Sequence, residues 1–317
     1  MDYKDCYHSC TTMLIEGALG IRLRKEYGLT PDKVVANASM IYQEDARKAM
    51  KEIFGQYIDI AKAYQLPIML MTPTRKANKS NVEKSSFTEK IIQDNIDFLK
   101  EIREEAKQDG KLKYIFVGAL MGCKGDAYKG TDVLTADEAY QFHSWQAQLF
   151  RKAGADFLYA GIMPAVSETI GMARAMGDTG IPYIISFMIR NNGRLIDGTT
   201  IHNAISAIEA ATDIKPIFYM SNCVHPINVS LALNQEFNQT ELVRTRFKGI
   251  QANASLLSPE ELDHSCEIIS SDPTELADEM LKLRDKYGLK VFGGCCGTDN
   301  THVEELAKRL SIHRLRH

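Results

Sequence analysis

The chain has little of what marks a secreted, membrane-spanning or nucleic-acid-binding protein. Its opening, "MDYKDCYHSC", lacks the basic flank and apolar core of a signal peptide, and no apolar run approaches the length needed to span a bilayer. Lys and Arg number 38 against 41 Asp and Glu, a net charge of −3 with no long block of one sign, so a nucleic-acid partner gets no support. No glycine-rich linker, low-complexity tract or shift of composition divides the 317 residues, and "GGCCGT" lacks the Gly-Lys-Ser/Thr ending of a phosphate-binding loop. Seven cysteines (6, 10, 123, 223, 266, 295 and 296), an odd number scattered through a large chain, fit reduced thiols better than a disulfide framework. These absences lead to the expectation of a cytoplasmic globular protein with no membrane partner.

What is present is an ordinary globular balance, 44% hydrophobic and 25% charged, with enough apolar side chain for a large core. Length alone permits either two domains or one α/β barrel. The order of elements favours the barrel. Short apolar, β-rich runs fall near 12–15, 67–71, 113–118, 156–160, 182–187, 216–220, 247–252 and 290–294. Stretches of helical periodicity alternate with them at 42–64, 88–107, 137–153, 164–176, 201–211, 226–235, 273–287 and 301–310. Asp272 before Pro273 reads as an N-cap followed by proline at the first helical position. After the first interval the strands recur every 30 to 45 residues or so, the spacing that crossover helices impose on parallel strands. Eight such units predict a (β/α)8 TIM barrel, a single domain over 1–317. The long interval 16–66 should hold extra helix, and "KANKSNVEKSS" (76–86) reads as a polar loop.

In this fold the strand C-termini and the loops after them build the active site. Glu16 follows the first predicted strand, Thr72 to Arg75 the second, Gly161 the fourth, Asn222 and Cys223 the sixth, Asn253 the seventh, and Cys295 and Cys296 the eighth. The ends of the sixth and eighth strands share one rim, so Cys223, Cys295 and Cys296 can converge. Three thiolates around a soft cation describe a zinc (Zn2+) site with one position open, the mark of a catalytic rather than a structural metal. A substrate thiol in that position would lose its proton near neutral pH and become a nucleophile toward an electrophilic methyl group. Gly293 and Gly294 are expected to let the backbone turn sharply enough for both adjacent cysteines to aim inward. His143, His225 and His302 read as surface or loop histidines, His225 being near enough to Cys223 to serve as an outer partner. Cys6 and Cys10 have helical spacing, but two thiols make a poor metal site.

With these residues in view, the chain resembles the homocysteine S-methyltransferase family, whose hallmark is a GGCC motif with an upstream Asn-Cys. The resemblance extends through "LIEGALGIRL", "VGALMGCKGDAYKG", "AGADFL", "SFMIRNNGRLIDGTT" and "QANASLLSPEELD", nearly the whole chain. It implies a barrel enzyme that methylates a zinc-bound small-molecule thiol from a small methyl donor, with Cys223, Cys295 and Cys296 as ligands. It also places Glu16, Asn222 and Asn253 around the acceptor, Glu16 standing where the family usually has Asp.

Two positions depart from the pattern. Where the family has a Glu for the amino group of homocysteine, "YAGIMPAVSE" puts Gly161; Glu168 matches a different glutamate, on the following helix. After the second strand Arg75 stands where an aromatic residue is usual, and a rim arginine suits a carboxylate or phosphate. The length excludes the folate and cobalamin domains of large methionine synthases, so a free donor or a separate partner is expected. Onium donors can lie on aromatic faces, for which Trp145, Tyr128 and Tyr159 qualify by type. Three readings follow: a thiol S-methyltransferase acting on homocysteine or a related thiol, a barrel with the same metal but another acceptor or a demethylase role, and a non-catalytic zinc- or thiol-binding barrel. The pattern does not specify an oligomeric state.

Overall fold

A computed structural model describes residues 1–257 and 271–314, with side chains to 311. Cys266 and the end of the "QANASLLSPEELD" match lie outside the described residues.

Eight parallel strands, β1 (Met13–Ile15), β2 (Ile68–Met71), β3 (Ile115–Met121), β4 (Phe157–Met163), β5 (Tyr183–Phe187), β6 (Tyr219–Val224), β7 (Phe247–Ala252) and β8 (Val291–Gly294), pair in sequence order and close into one barrel. β1 pairs with both β2 and β8, which completes the ring. The strands read as apolar runs because both faces are covered, one by the lumen and one by helices. Alternation along them separates two cores. Met13, Met69, Phe116, Phe157, Ile184 and Val291 fill the lumen, while Leu14, Leu70, Val117, Leu158, Ile185 and Phe292 pack outward under the helices.

The predicted helices are present, from Glu44–Tyr64 to Asn300–Arg314. Asp272 caps its helix by accepting from the backbone N–H groups of Thr274 and Glu275, with Pro273 at the first helical position. The interval after β1 holds the helix Gly20–Tyr27 and a 3-10 turn at Asn37–Tyr42, as expected. The polar loop is a correction: within 76–86, Lys79–Lys84 is a short helix whose N-cap, Asn78, accepts from Asn81 N–H. Six residues with Val82 alone buried give no readable period.

The first residues form a helix, Tyr3–Ser9, laid across the N-terminal end of the barrel. Tyr3 stacks on Phe157 with ring centroids 4.3 Å apart, and Tyr7 on Phe218 at 4.8 Å. The helical spacing of Cys6 and Cys10 reflects this plug, with Cys6 buried inside it. Among the described residues no helix is long and apolar enough to cross a membrane.

Candidate metal and substrate site

The opposite end of the barrel opens into a cavity of about 380 Å3 to which every strand end but that of β5 contributes. Its size is that of a small-molecule site. Cys223, Cys295 and Cys296 all line it, and their sulfurs lie within 4.8 Å of one another. The Cys223 Sγ is 3.0 Å from that of Cys295 and 3.3 Å from that of Cys296.

Local backbone geometry produces this convergence. Cys223 lies inside β6, not beyond it as predicted, and has φ +62°, a left-handed conformation that non-glycine residues seldom adopt. The β6–β7 register shifts between Asn222 and Val224, so Cys223 is the extra residue of a bulge that re-aims its side chain into the lumen.

On β8 the two glycines act by lacking a Cβ, which corrects the expected sharp turn at these positions. A Cβ at Gly293 would lie 2.6 Å from the Ile15 carbonyl oxygen, and one at Gly294 would lie 2.2 Å from the Thr298 hydroxyl. The first absence lets β8 press against β1, and the second lets Thr298 fold back over the end of β8. The left-handed turn falls on Gly297, φ +80°, after both cysteines. Cys295 N–H donates to the Ala252 carbonyl at 2.6 Å and Ala254 N–H to the Cys296 carbonyl at 3.0 Å, pinning the turn to the end of β7.

The triad fits a soft divalent cation. Its donors are three sulfurs, no histidine or carboxylate joins the cluster among the described residues, and the remaining side faces the cavity. Hydrogen bonds from Cys295 and Cys296, and then from Tyr128, hold the Cys223 thiol well below its ordinary range, while the same contacts push Cys295 and Cys296 upward. The Tyr128 hydroxyl is 3.1 Å from the Cys223 Sγ.

Glu16, at the end of β1, is buried and lines the cavity. Both carboxylate oxygens accept from Met71 N–H, at 3.1 and 2.9 Å. Burial pushes its pKa well above the carboxylate range, offset only in part by that bond. Asn222 lies within β6, lines the cavity, and accepts from the Ser186 hydroxyl at 2.6 Å. Asn253 is buried just beyond β7, but its side chain accepts from Ser255 N–H at 2.9 Å and is absent from the cavity wall. Gln251 occupies the wall there instead, accepting from the Tyr159 hydroxyl at 3.2 Å. Gly161 lies inside β4 and also lines the cavity. A Cβ there would sit 2.9 Å from Cε1 of Tyr159, so the tyrosine ring occupies the room a longer side chain would need.

Arg75 lines the cavity mouth, as does Arg24 from the helix Gly20–Tyr27, which the sequence did not single out. Of the aromatic candidates, Tyr128 and Tyr159 line the cavity; Trp145 packs on the helix Ala136–Ala153.

The three histidines are buried, which corrects their reading as surface residues; His143 and His302 lie in helices, while His225 does stand in the loop after β6. His143 pairs with Glu168 at 3.0 Å, and the same carboxylate oxygen takes the N–H of Lys124. His225 caps the helix Pro226–Leu233 through Nδ1. His302 Nδ1 lies 2.8 Å from Asp299, and its Nε2 donates to the Ser271 carbonyl at 3.0 Å. Each satisfies local backbone or a carboxylate and lies outside the sulfur cluster.

Comparison with known proteins agrees with this geometry. The family model described as homocysteine S-methyltransferase matches residues 13–310. A methionine synthase of Mycobacterium leprae is 22% identical over 309 residues, 93% of this chain and 24% of that protein. The homocysteine S-methyltransferase of Escherichia coli is 25% identical over 189 residues, 58% of this chain and 57% of that protein. A selenocysteine Se-methyltransferase of Brassica oleracea is 24% identical over 261 residues, covering 75% of this chain and 72% of that one. The chain thus spans about a quarter of the first relative and over half of the second. Among solved structures, the metallated form of the E. coli homocysteine methyltransferase MmuM has a TM-score of 0.76 at 18% identity, covering 96% of this chain and 98% of that one. At that identity the likeness is one of fold.

Proposed function

Because the chain belongs to the homocysteine S-methyltransferase family, we propose that it is a zinc-dependent thiol S-methyltransferase that moves a methyl group from a small donor to a small thiol. The observation that carries this reading is the convergence of the Cys223, Cys295 and Cys296 sulfurs on the wall of an open cavity. These three residues would hold the ion. When bound, zinc would lower the pKa of an incoming thiol, so that the acceptor is ionised at neutral pH without a separate general base.

The chain's own groups do the rest. The bulge at Cys223 and the pinned Cys295–Cys296 turn fix the ligand geometry before substrate arrives, and the barrel wall aligns acceptor and donor. The acceptor sulfur's electron pair forms the new S–C bond as the bond from methyl carbon to donor breaks, its pair leaving on the donor. Asn222, held by Ser186, offers its amide N–H groups to the acceptor, and the faces of Tyr128 and Tyr159 suit a donor with an onium charge.

The acceptor of homocysteine type is the first reading. Gly161 favours a second, an acceptor without an α-amino group, because Tyr159 fills the place from which a carboxylate would hold an ammonium. The test is zinc content together with transfer of labelled methyl groups from a panel of onium donors. The wild type should retain one zinc per chain and methylate a thiol, and Cys296→Ser should lose both. Full zinc retention with no transfer to any thiol would leave a metal-binding barrel without catalysis and overturn the proposal.

A further inference from the structure

The charge lining the cavity does not match a zwitterionic acceptor. Among the described residues its one carboxylate is Glu16, both oxygens of which are turned to the Met71 N–H. Burial favours its neutral form. Against this stand two guanidinium groups, Arg24 and Arg75, brought to the same mouth by the segments after β1 and β2. Among the described residues, neither has an ion pair or a side-chain hydrogen bond. Arg22, two residues from Arg24, shows what a structural arginine does in this fold: it is buried and bonded to Glu26 and Gln56.

Arg75 is also positioned rather than loose. Its stem packs over Gly122, where a Cβ would come within 2.5 Å of Cγ. A guanidinium is a rigid fork suited to a planar or tetrahedral anion, and its fixed positive charge at a cavity wall favours an anionic ligand over a neutral or cationic one.

Resting on the thiol-transfer reading above, we propose that the acceptor is an anionic thiol without an ammonium group, its carboxylate or sulfonate held at the cavity mouth by Arg75 and Arg24. The sulfur end then lies toward the cysteines and the anionic end toward the rim. Among the described residues, Gly161 and Tyr159 leave no carboxylate on the β4 side of the cavity to receive an amine.

The experiment is calorimetric titration of the zinc-loaded full chain with 3-mercaptopropionate, 2-mercaptoethanesulfonate, neutral 2-mercaptoethanol, cationic cysteamine and L-homocysteine. One or both anionic thiols should bind roughly 10- to 100-fold more tightly than 2-mercaptoethanol, the range for hydrogen bonds to a charged group. Whichever binds better identifies the head group. Cysteamine should bind most weakly, and Arg75→Ala should bring the anionic thiols down to the affinity of 2-mercaptoethanol. The wild-type panel decides the matter even if that variant folds poorly. Homocysteine binding more tightly than both anionic thiols, or equal binding of neutral and anionic thiols, would overturn the inference while leaving the thiol-transfer reading intact. A protein that holds no zinc and binds no thiol would overturn that reading, and this inference with it.

Discussion

The two ends of the barrel use the same alternation of side chains for opposite purposes. Reading inward positions from the N-terminal end, β3 runs Phe116, Gly118, Leu120, and β4 runs Phe157, Tyr159, Gly161. Along and just ahead of β6 the series is Phe218, Met220, Asn222. Each series begins with phenylalanine, and the helix Tyr3–Ser9 seals the layer with two stacked tyrosines. At the other end the β4 and β6 series finish in a glycine and an asparagine, and the wall gains three thiols, a carboxylate and two arginines. A polar rim with unmet bonding potential costs stability. The dry aromatic layer about a strand's length away offsets that cost, so binding and folding are assigned to separate ends.

Phe157→Ala is the strongest way to break this division. The ring is fully buried, stacks on Tyr3, and occupies the space left by Gly118. Its removal should cost about 3–5 kcal/mol of stability by urea unfolding, the range for buried aromatic truncations. Zinc content and thiol affinity of the protein that remains folded should stay at wild-type values. Loss of metal in step with stability would show that the ends are one cooperative unit.

Tyr128→Phe probes the other end and should have a smaller effect of the opposite kind. The substitution removes the hydroxyl 3.1 Å from the Cys223 sulfur and keeps the ring. Zinc affinity, read by competition with a chelating dye, should fall by about 1 kcal/mol or roughly fivefold, while the unfolding midpoint hardly moves. A large stability loss with unchanged zinc affinity would mean that the hydroxyl serves the packing of its loop.

These contrasts also explain what could be read from the chain directly. All eight strands were legible because parallel strands are apolar on both faces, and the GGCC and Asn-Cys motifs located the sulfur cluster. The strand ends were less legible: Gly161, Asn222 and Cys223 interrupt the apolar run yet continue the barrel wall. The plug could not be read, since a seven-residue helix buries its tyrosines against partners such as Phe157 and Phe218, distant in sequence. Pairing hid the histidines in the same way, His143 finding Glu168 from 25 positions away. Gln251 gave one usable signal, being an inward polar residue at the end of β7; Arg24 gave none, because only the fold turns its helix toward the cavity.

The mildest expected effect concerns the segment behind the Cys295–Cys296 turn. Asp299 caps the helix Asn300–Arg314 by accepting from Thr301 N–H at 2.9 Å, and it also pairs with His302. The hydrogen bond from His302 holds the Asp299 carboxyl well below its ordinary range. Burial pulls the His302 pKa down, but the bonds to Asp299 and the Ser271 carbonyl outweigh it and leave the imidazole raised. The carboxylate's contribution is present above its unfolded pKa of about 3.9 and is lost as pH falls through the lower folded value. The imidazole's contribution is present below its unfolded pKa of about 6.5 and is lost as pH rises through the higher folded value. The stability difference between wild type and Asp299→Asn should therefore be greatest between about pH 4 and 6.5, shrinking toward acid and toward alkali. Thermal midpoints across pH measure it, and a difference that holds unchanged as pH rises above about 6.5 would assign Asp299 to helix capping alone, with no contribution from its pair with His302.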